Sequence, residues 1–282
     1  MKNLILRSIT GALYVAAVVG ATLLGPQYFV VLFGLIAGLT LWEFAGLVNR
    51  CYGASTNRLI LTVAGVYLFV AVFGYCSELT RSDVFIPYLL SIIYLVVSEL
   101  YLRASDPLKN WSLALAAQLY VALPFALLCV LAFQADPESG RVAYTGIYPL
   151  SVFLFLWTSD TGAYLVGSMF GRRIPYKLFP RISPNKSWIG SVGGGMLCVV
   201  VSIVLWHYFP LMSLGEWIGL GLVVCVFGTW GDLVESLIKR QLGVKDSGNI
   251  LPGHGGMLDR FDSALVAIPA AVLYLYVISR YL

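Results

Sequence analysis

The chain has 282 residues, of which 59% are hydrophobic and 11% charged, with a formal net charge of +4. An ordinary soluble domain carries about a quarter charged residues, so a water-surrounded globule is excluded, and an intrinsically disordered chain with it. Such a sequence requires lipid as its main solvent.

Nine apolar runs follow in chain order: 4–24, 28–48, 59–75, 84–102, 112–133, 147–167, 189–209, 214–237 and 263–278. Each approaches the roughly 20 residues that a helix needs to cross the hydrocarbon core. The alternation of an outer-membrane barrel is absent, so the runs predict helices, which satisfy their own backbone in lipid. The expected fold is all-α, a polytopic membrane bundle of nine transmembrane helices. Lys2 and Arg7 ahead of the first run imitate a signal peptide, but no small-x-small cleavage site follows. That run reads as an uncleaved first helix. Only Gly25-Pro26-Gln27 separates runs one and two, so a re-entrant pair is the alternative there.

Alternate connections differ in charge. With the N-terminus inside, Arg81, Arg141 and Arg280 fall outside, and the other fifteen of the 18 Lys and Arg fall inside. This positive-inside bias predicts a cytoplasmic N-terminus and an external C-terminus. The expected organisation is a set of N-terminal transmembrane helices, 1–135, and a C-terminal half, 136–282, whose cytoplasmic loops at 168–188 and 238–262 stand apart in length and content and would carry any chemistry. The five cysteines form no C-x-x-C pair, and there are only two histidines. Neither a disulfide framework nor a thiolate or poly-histidine metal site is expected. His207, beside Trp206 and Tyr208, reads as interfacial.

Ionisable groups within spans mark cavities or bundle interiors. Glu99 lies near the inner end of its run and is expected to reach the interface, whereas Glu43 reads as structural or cavity-lining. Asp232, Glu235, Ser236, Lys239 and Arg240 share one helical face that turns from acid to base. A Glu235–Lys239 pair is the structural reading, and it leaves Asp232 unexplained. A hard cation such as Mg²⁺ would explain it, because Mg²⁺ favours a few carboxylates plus phosphate oxygens. Asp259 and Asp262 form a second acidic set around Arg260. Between the sets run Lys245-Asp246-Ser247-Gly248 and Pro252-Gly253-His254-Gly255-Gly256. Glycines there allow a phosphate to approach the backbone, and the next helix start favours anions. Asp160 sits in a polar patch, Trp157 to Tyr164, and reads as a wall of the same cavity. Ser183-Pro184-Asn185-Lys186-Ser187 at the start of a glycine-rich helix suits a phosphate group.

The stretch from Ser236 through Lys239-Arg240, Lys245-Asp246-Ser247-Gly248 and Leu251-Pro252-Gly253-His254-Gly255-Gly256 to Asp259-Arg260-Phe261-Asp262 resembles the signature of the phosphatidate cytidylyltransferases, the CDP-diacylglycerol synthases. Further matches are Ser159 to Tyr164, Gly171-Arg172, Ser183 to Ser187, and Gly231-Asp232 with Glu235-Ser236. The likeness covers the C-terminal half; the first five runs share only hydropathy. Ile189-Gly190 stands where many members carry Glu-Gly, so no role of that glutamate is carried over.

The resemblance implies an integral-membrane enzyme joining CTP to phosphatidate, with Mg²⁺, to give CDP-diacylglycerol and pyrophosphate in phospholipid synthesis. It also implies residence in the inner (cytoplasmic) membrane and a homodimer; no nucleic-acid partner is expected. On this reading Asp232 and Asp259 hold the metal, with Asp160 and Asp246 as outer candidates. Lys239, Arg240, Lys245 and Arg260 meet phosphates. Ser183, Asn185, Lys186 and Ser187 hold the lipid phosphate or the nucleotide, and His254, Gly255, Gly256 and Asp262 complete the substrate loop. Two alternatives remain: a CTP-dependent polyprenol kinase or other lipid cytidylyltransferase, and an ion-coupled secondary transporter.

Overall fold

The computed structural model describes residues 2–102, 106–135, 140–171, 173–174, 176–248, 250 and 255–281. His254 and Arg172, both singled out above, lie outside the described residues, as does Arg103. The chain is mostly helical. Among the described residues, seven helices rather than nine are long and apolar enough to cross a membrane. All nine apolar runs are nevertheless helical. In the first, the described stretch 8–23 is a shorter apolar helix. The run at 147–167 carries Thr158-Ser159-Asp160-Thr161 in its middle, which lowers its mean hydropathy. The chain divides into two units, one of residues 1–146 with 242–261, the other of 147–241 with 262–282. The loop expected in the C-terminal half therefore groups with the N-terminal helices.

The first unit contains α1 (Lys2–Leu23), α2 (Pro26–Tyr52), α3 (Arg58–Cys76), α4 (Ile86–Leu102), α5 (Pro107–Ala117) and α6 (Leu123–Ala132). A two-stranded antiparallel ribbon follows, β1 (Phe133–Ala135) with β2 (Val142–Tyr144). The helix ends follow local chemistry. Pro26 starts α2, and Gly53 ends it with φ +65°. The Asn57 side chain accepts from the Ile60 N–H, and Asp106 accepts from Lys109, each capping an orphan amide. Between α5 and α6, Gln118–Ala122 widens into a π turn just before Pro124. Proline lacks an N–H and crowds the carbonyl four residues back, which the wider turn relieves.

The core of this unit is aromatic. Phe29 packs on Phe33 at 4.8 Å between ring centroids, and Phe125 on Phe261 at 5.4 Å. Phe261 belongs to α10 (Leu258–Phe261), the short helix ending the 242–261 segment, and it is fully buried. One expectation is corrected here. Glu99 does not reach an interface; it is 6% exposed, and its Oε2 accepts from the Asn110 amide at 3.0 Å. Asn110 in turn accepts from the Ser55 N–H at 2.9 Å. A carboxylate so buried is tolerated only because a donor is supplied.

The second unit contains α7 (Ile147–Phe170), the antiparallel hairpin β3 (Lys177–Phe179) and β4 (Ser183–Ser187), α8 (Trp188–Tyr208), α9 (Leu214–Gln241) and α11 (Ala264–Tyr281). Helices α7 and α8 touch backbone to backbone. A Cβ on Gly162 would sit 2.7 Å from the Gly193 carbonyl oxygen, and one on Gly194 2.8 Å from that of Ser159. Small residues permit such approach where lipid offers helices no hydrophobic drive to associate. The contact places Asp160, the residue after Ser159, near the start of α8.

Candidate active site

Among the described residues, each unit carries a polar cluster that includes acids singled out in the sequence. In the second unit, hairpin β3–β4 delivers Lys186 to α9. Its Nζ lies 2.6 Å from Asp232 Oδ2 and donates to the Thr229 carbonyl at 3.3 Å. The Ser236 hydroxyl, one turn further along α9, donates to Asp232 Oδ1 at 3.2 Å. A carboxylate offers about four lone-pair sites, so each oxygen keeps acceptor capacity. Lys186 and Asp232 are the electrostatic neighbours of Asp160. Those of Asp262 are Asp232, Lys239 and Asp160. Asp160, Asp232 and Asp262 thus share one neighbourhood with two lysines.

A cavity of 390 Å³ opens beside this cluster, lined by Asp160, Tyr164, Ser168, Asn185, Lys186, Ser187 and Thr229 among others. Ser187 caps α8: its Oγ accepts from the Gly190 N–H at 3.2 Å. Its hydroxyl hydrogen remains available for donation. Ser183 sits at the far end of β4, paired with Phe179. The structural reading of Glu235 holds. It is fully buried and pairs with Lys239 at 2.6 Å, four residues along the same helix. Arg240, at the end of α9, is exposed.

In the first unit, the segment before α10 folds around Asp259. Its Oδ2 accepts from the Ser247 N–H at 3.0 Å and the Gly256 N–H at 2.8 Å. Gly255 takes φ +81° beside that oxygen, a conformation side chains rarely adopt. Asp259 therefore shapes the loop, which spacing alone did not foretell. Lys245 and Asp246 are exposed on it, and Arg260 is exposed on α10. Asp246, Ser247 and Gly248 line a second cavity, of 620 Å³, with Glu43, Arg50 and Arg58. Arg50 and Arg58, at the end of α2 and the start of α3, escape notice in the sequence. The available signal was the pair of cations flanking a short polar turn after an acid-bearing span.

Among the described residues, no group of three His, Cys, Asp or Glu side chains is arranged to hold a metal ion. The donor chemistry still suits Mg²⁺, which commonly takes one or two carboxylates and completes its shell with water and substrate phosphates. Asp232 belongs to one unit and Asp259 to the other.

Residues 5–278 match the profile of the cytidylyltransferase family. The chain is 33% identical to the phosphatidate cytidylyltransferase of Haemophilus influenzae, over 93% of its own length and 95% of that protein. It is 39% identical to the phosphatidate cytidylyltransferase of Staphylococcus aureus strain COL, over 65% of its length and 77% of the other. The enzyme of that name from Staphylococcus haemolyticus is 38% identical over the same shares.

Proposed function

Because the chain belongs to the cytidylyltransferase family, we propose that it is a multi-pass membrane enzyme that transfers a cytidylyl group from CTP to phosphatidate. The products are CDP-diacylglycerol and pyrophosphate. The observation that carries this reading is the Lys186–Asp232 pair beside Asp160, at a cavity lined by α7, α8, α9 and strand β4.

In the reaction, an oxygen of the phosphatidate monoester forms a bond to the α-phosphorus of CTP, and the bond from that phosphorus to the β-bridging oxygen breaks. The nucleophile is already largely ionised near neutrality, since the second pKa of a phosphate monoester is about 6. No general base is needed, which fits a chain with two histidines. The protein must bring two polyanions together and neutralise the charge that gathers on the leaving group. Lys186 is suited to the lipid phosphate, aided by Asn185 and the hydroxyls of Ser183 and Ser187. Lys239, Arg240, Lys245 and Arg260 are suited to the triphosphate, with Gly255 and Gly256 offering close backbone approach. His254 and Asp262 keep the substrate-loop roles drawn from the sequence.

Mg²⁺, when bound, would supply positive charge to the phosphate oxygens. Asp232 and Asp259 are the proposed ligands, and Asp160 and Asp246 the outer ones. The site would face the cytoplasm, where CTP is, with the N-terminus on that side, in a homodimer within the inner membrane. Purified protein given labelled CTP tests the reading by its acceptor. A label on the α-phosphate should enter a CDP-lipid with phosphatidate, and passage of a γ-phosphate label to a polyprenol instead would replace the proposal with the kinase alternative.

A further inference from the structure

We propose that Glu43 is a positioning residue that fixes the signature loop to α2 and thereby sets the requirement for CTP. The inference rests on the loop's role in binding the triphosphate, proposed above. Glu43 lies in a helix that is otherwise apolar around it, and it is 4% exposed. Its Oε2 accepts from the Leu258 N–H, the first residue of α10, at 3.0 Å and across 215 positions of sequence. Its Oε1 is pressed between the α-carbons of Gly248 and Gly256; a Cβ on either would collide with it. The same imagined Cβ on Gly256 would collide with the Ser247 hydroxyl, so that hydroxyl adjoins the carboxylate. Ser247 is 1% exposed.

These contacts give the two glycines a purpose beyond phosphate approach. They let residues 247–248 and 256 close over a carboxylate that arrives from outside the loop. Asp259 ties the loop to itself through Ser247 and Gly256. Glu43 ties it to a transmembrane helix. A merely solvated acid is excluded by the burial. Arg58, its electrostatic neighbour, is occupied with Trp42, donating to the Trp42 carbonyl at 2.7 Å and lying 3.9 Å over the ring. Glu43 touches no reacting atom on this reading; it acts through the backbone that carries Lys245 and Asp246.

Without this anchor the loop is ordered only when substrate pays the cost of ordering it. Binding then weakens by the fraction of time the loop is in place, while turnover at saturation is kept. Loss of a hydrogen bond to a charged acceptor predicts a rise in KM for CTP of about tenfold to a hundredfold. The test uses the full-length protein in detergent, with Glu43→Ala and Glu43→Gln compared by amide hydrogen exchange over 245–259 and by kinetics with CTP varied. Glu43→Ala should speed exchange at Ser247, Gly256 and Leu258 and raise KM for CTP, leaving kcat and KM for phosphatidate near their original values. Glu43→Gln keeps an acceptor for Leu258 and should restore both readouts. Unchanged exchange in Glu43→Ala, or a glutamine variant as impaired as the alanine one, overturns the proposal. Exchange needs no turnover, so a parent protein inactive on CTP would defeat the function while still testing the anchor. If the alanine variant does not fold, Glu43→Asp, too short to reach Leu258, takes its place with the same expected outcomes.

Discussion

Replacing Asp232 with asparagine keeps the shape of the side chain and removes one negative charge from the partner of Lys186. Two consequences separate. The pair is partly open to solvent, with side-chain exposures of 23% for Lys186 and 32% for Asp232, so its contribution to stability is on the order of 1 kcal/mol or less. Lys186 also keeps its bond to the Thr229 carbonyl. If Asp232 helps hold the cation that would neutralise the reacting phosphates, its unit charge about 4 Å from that cation is worth roughly 4 kcal/mol at an effective dielectric of 20. That corresponds to about a thousandfold in rate. Asp232→Asn should therefore lower kcat by roughly three orders of magnitude with little change in thermal unfolding in detergent. Pyrophosphate release and unfolding measured on the same preparation decide it. A folded variant that keeps kcat within about tenfold of the parent would remove Asp232 from the chemistry.

Three further outcomes are expected. Lys245→Ala should raise KM for CTP while leaving KM for phosphatidate alone, because Lys245 is exposed on the loop assigned to the nucleotide; steady-state kinetics with each substrate varied would show it. Gly194→Val should force α7 and α8 apart, since even a Cβ there meets the Ser159 carbonyl oxygen at 2.8 Å. Overpacking of that kind costs about 1–3 kcal/mol, measurable as earlier unfolding. Asn110→Ala should leave the buried Glu99 carboxylate without its amide donor, destabilising the protein by about 2–3 kcal/mol. Turnover per folded molecule should be kept, which a combined unfolding and activity assay tests.

The helices were legible because hydropathy and capping are local. Asn57, Asp106 and Ser187 are of the residue types that favour helix starts, and each accepts from the amide three residues on. The Glu235–Lys239 pair was legible from its spacing, four along a helix. What escaped the sequence depends on distant partners. Nothing near Glu43 signals Leu258, and nothing near Glu99 signals Asn110, since each bond closes only when separate helices pack. Asp259 reads as a metal ligand because it belongs to a second acidic set that, with Asp232, suits a hard cation. Its part in holding two loop amides needed the turn at Gly255. The hairpin β3–β4 was hidden inside a basic segment, and it is what turns Lys186 from a surface cation into the partner of Asp232.

The most direct measurement is pyrophosphate release from CTP by the purified protein in detergent, with phosphatidate and Mg²⁺ each present or withheld. Release should require both additions, should stop on chelation, and should return when Mg²⁺ is restored. Release that proceeds without phosphatidate, or at an undiminished rate after exhaustive removal of divalent ions, would contradict metal-assisted transfer of a nucleotide to a lipid phosphate.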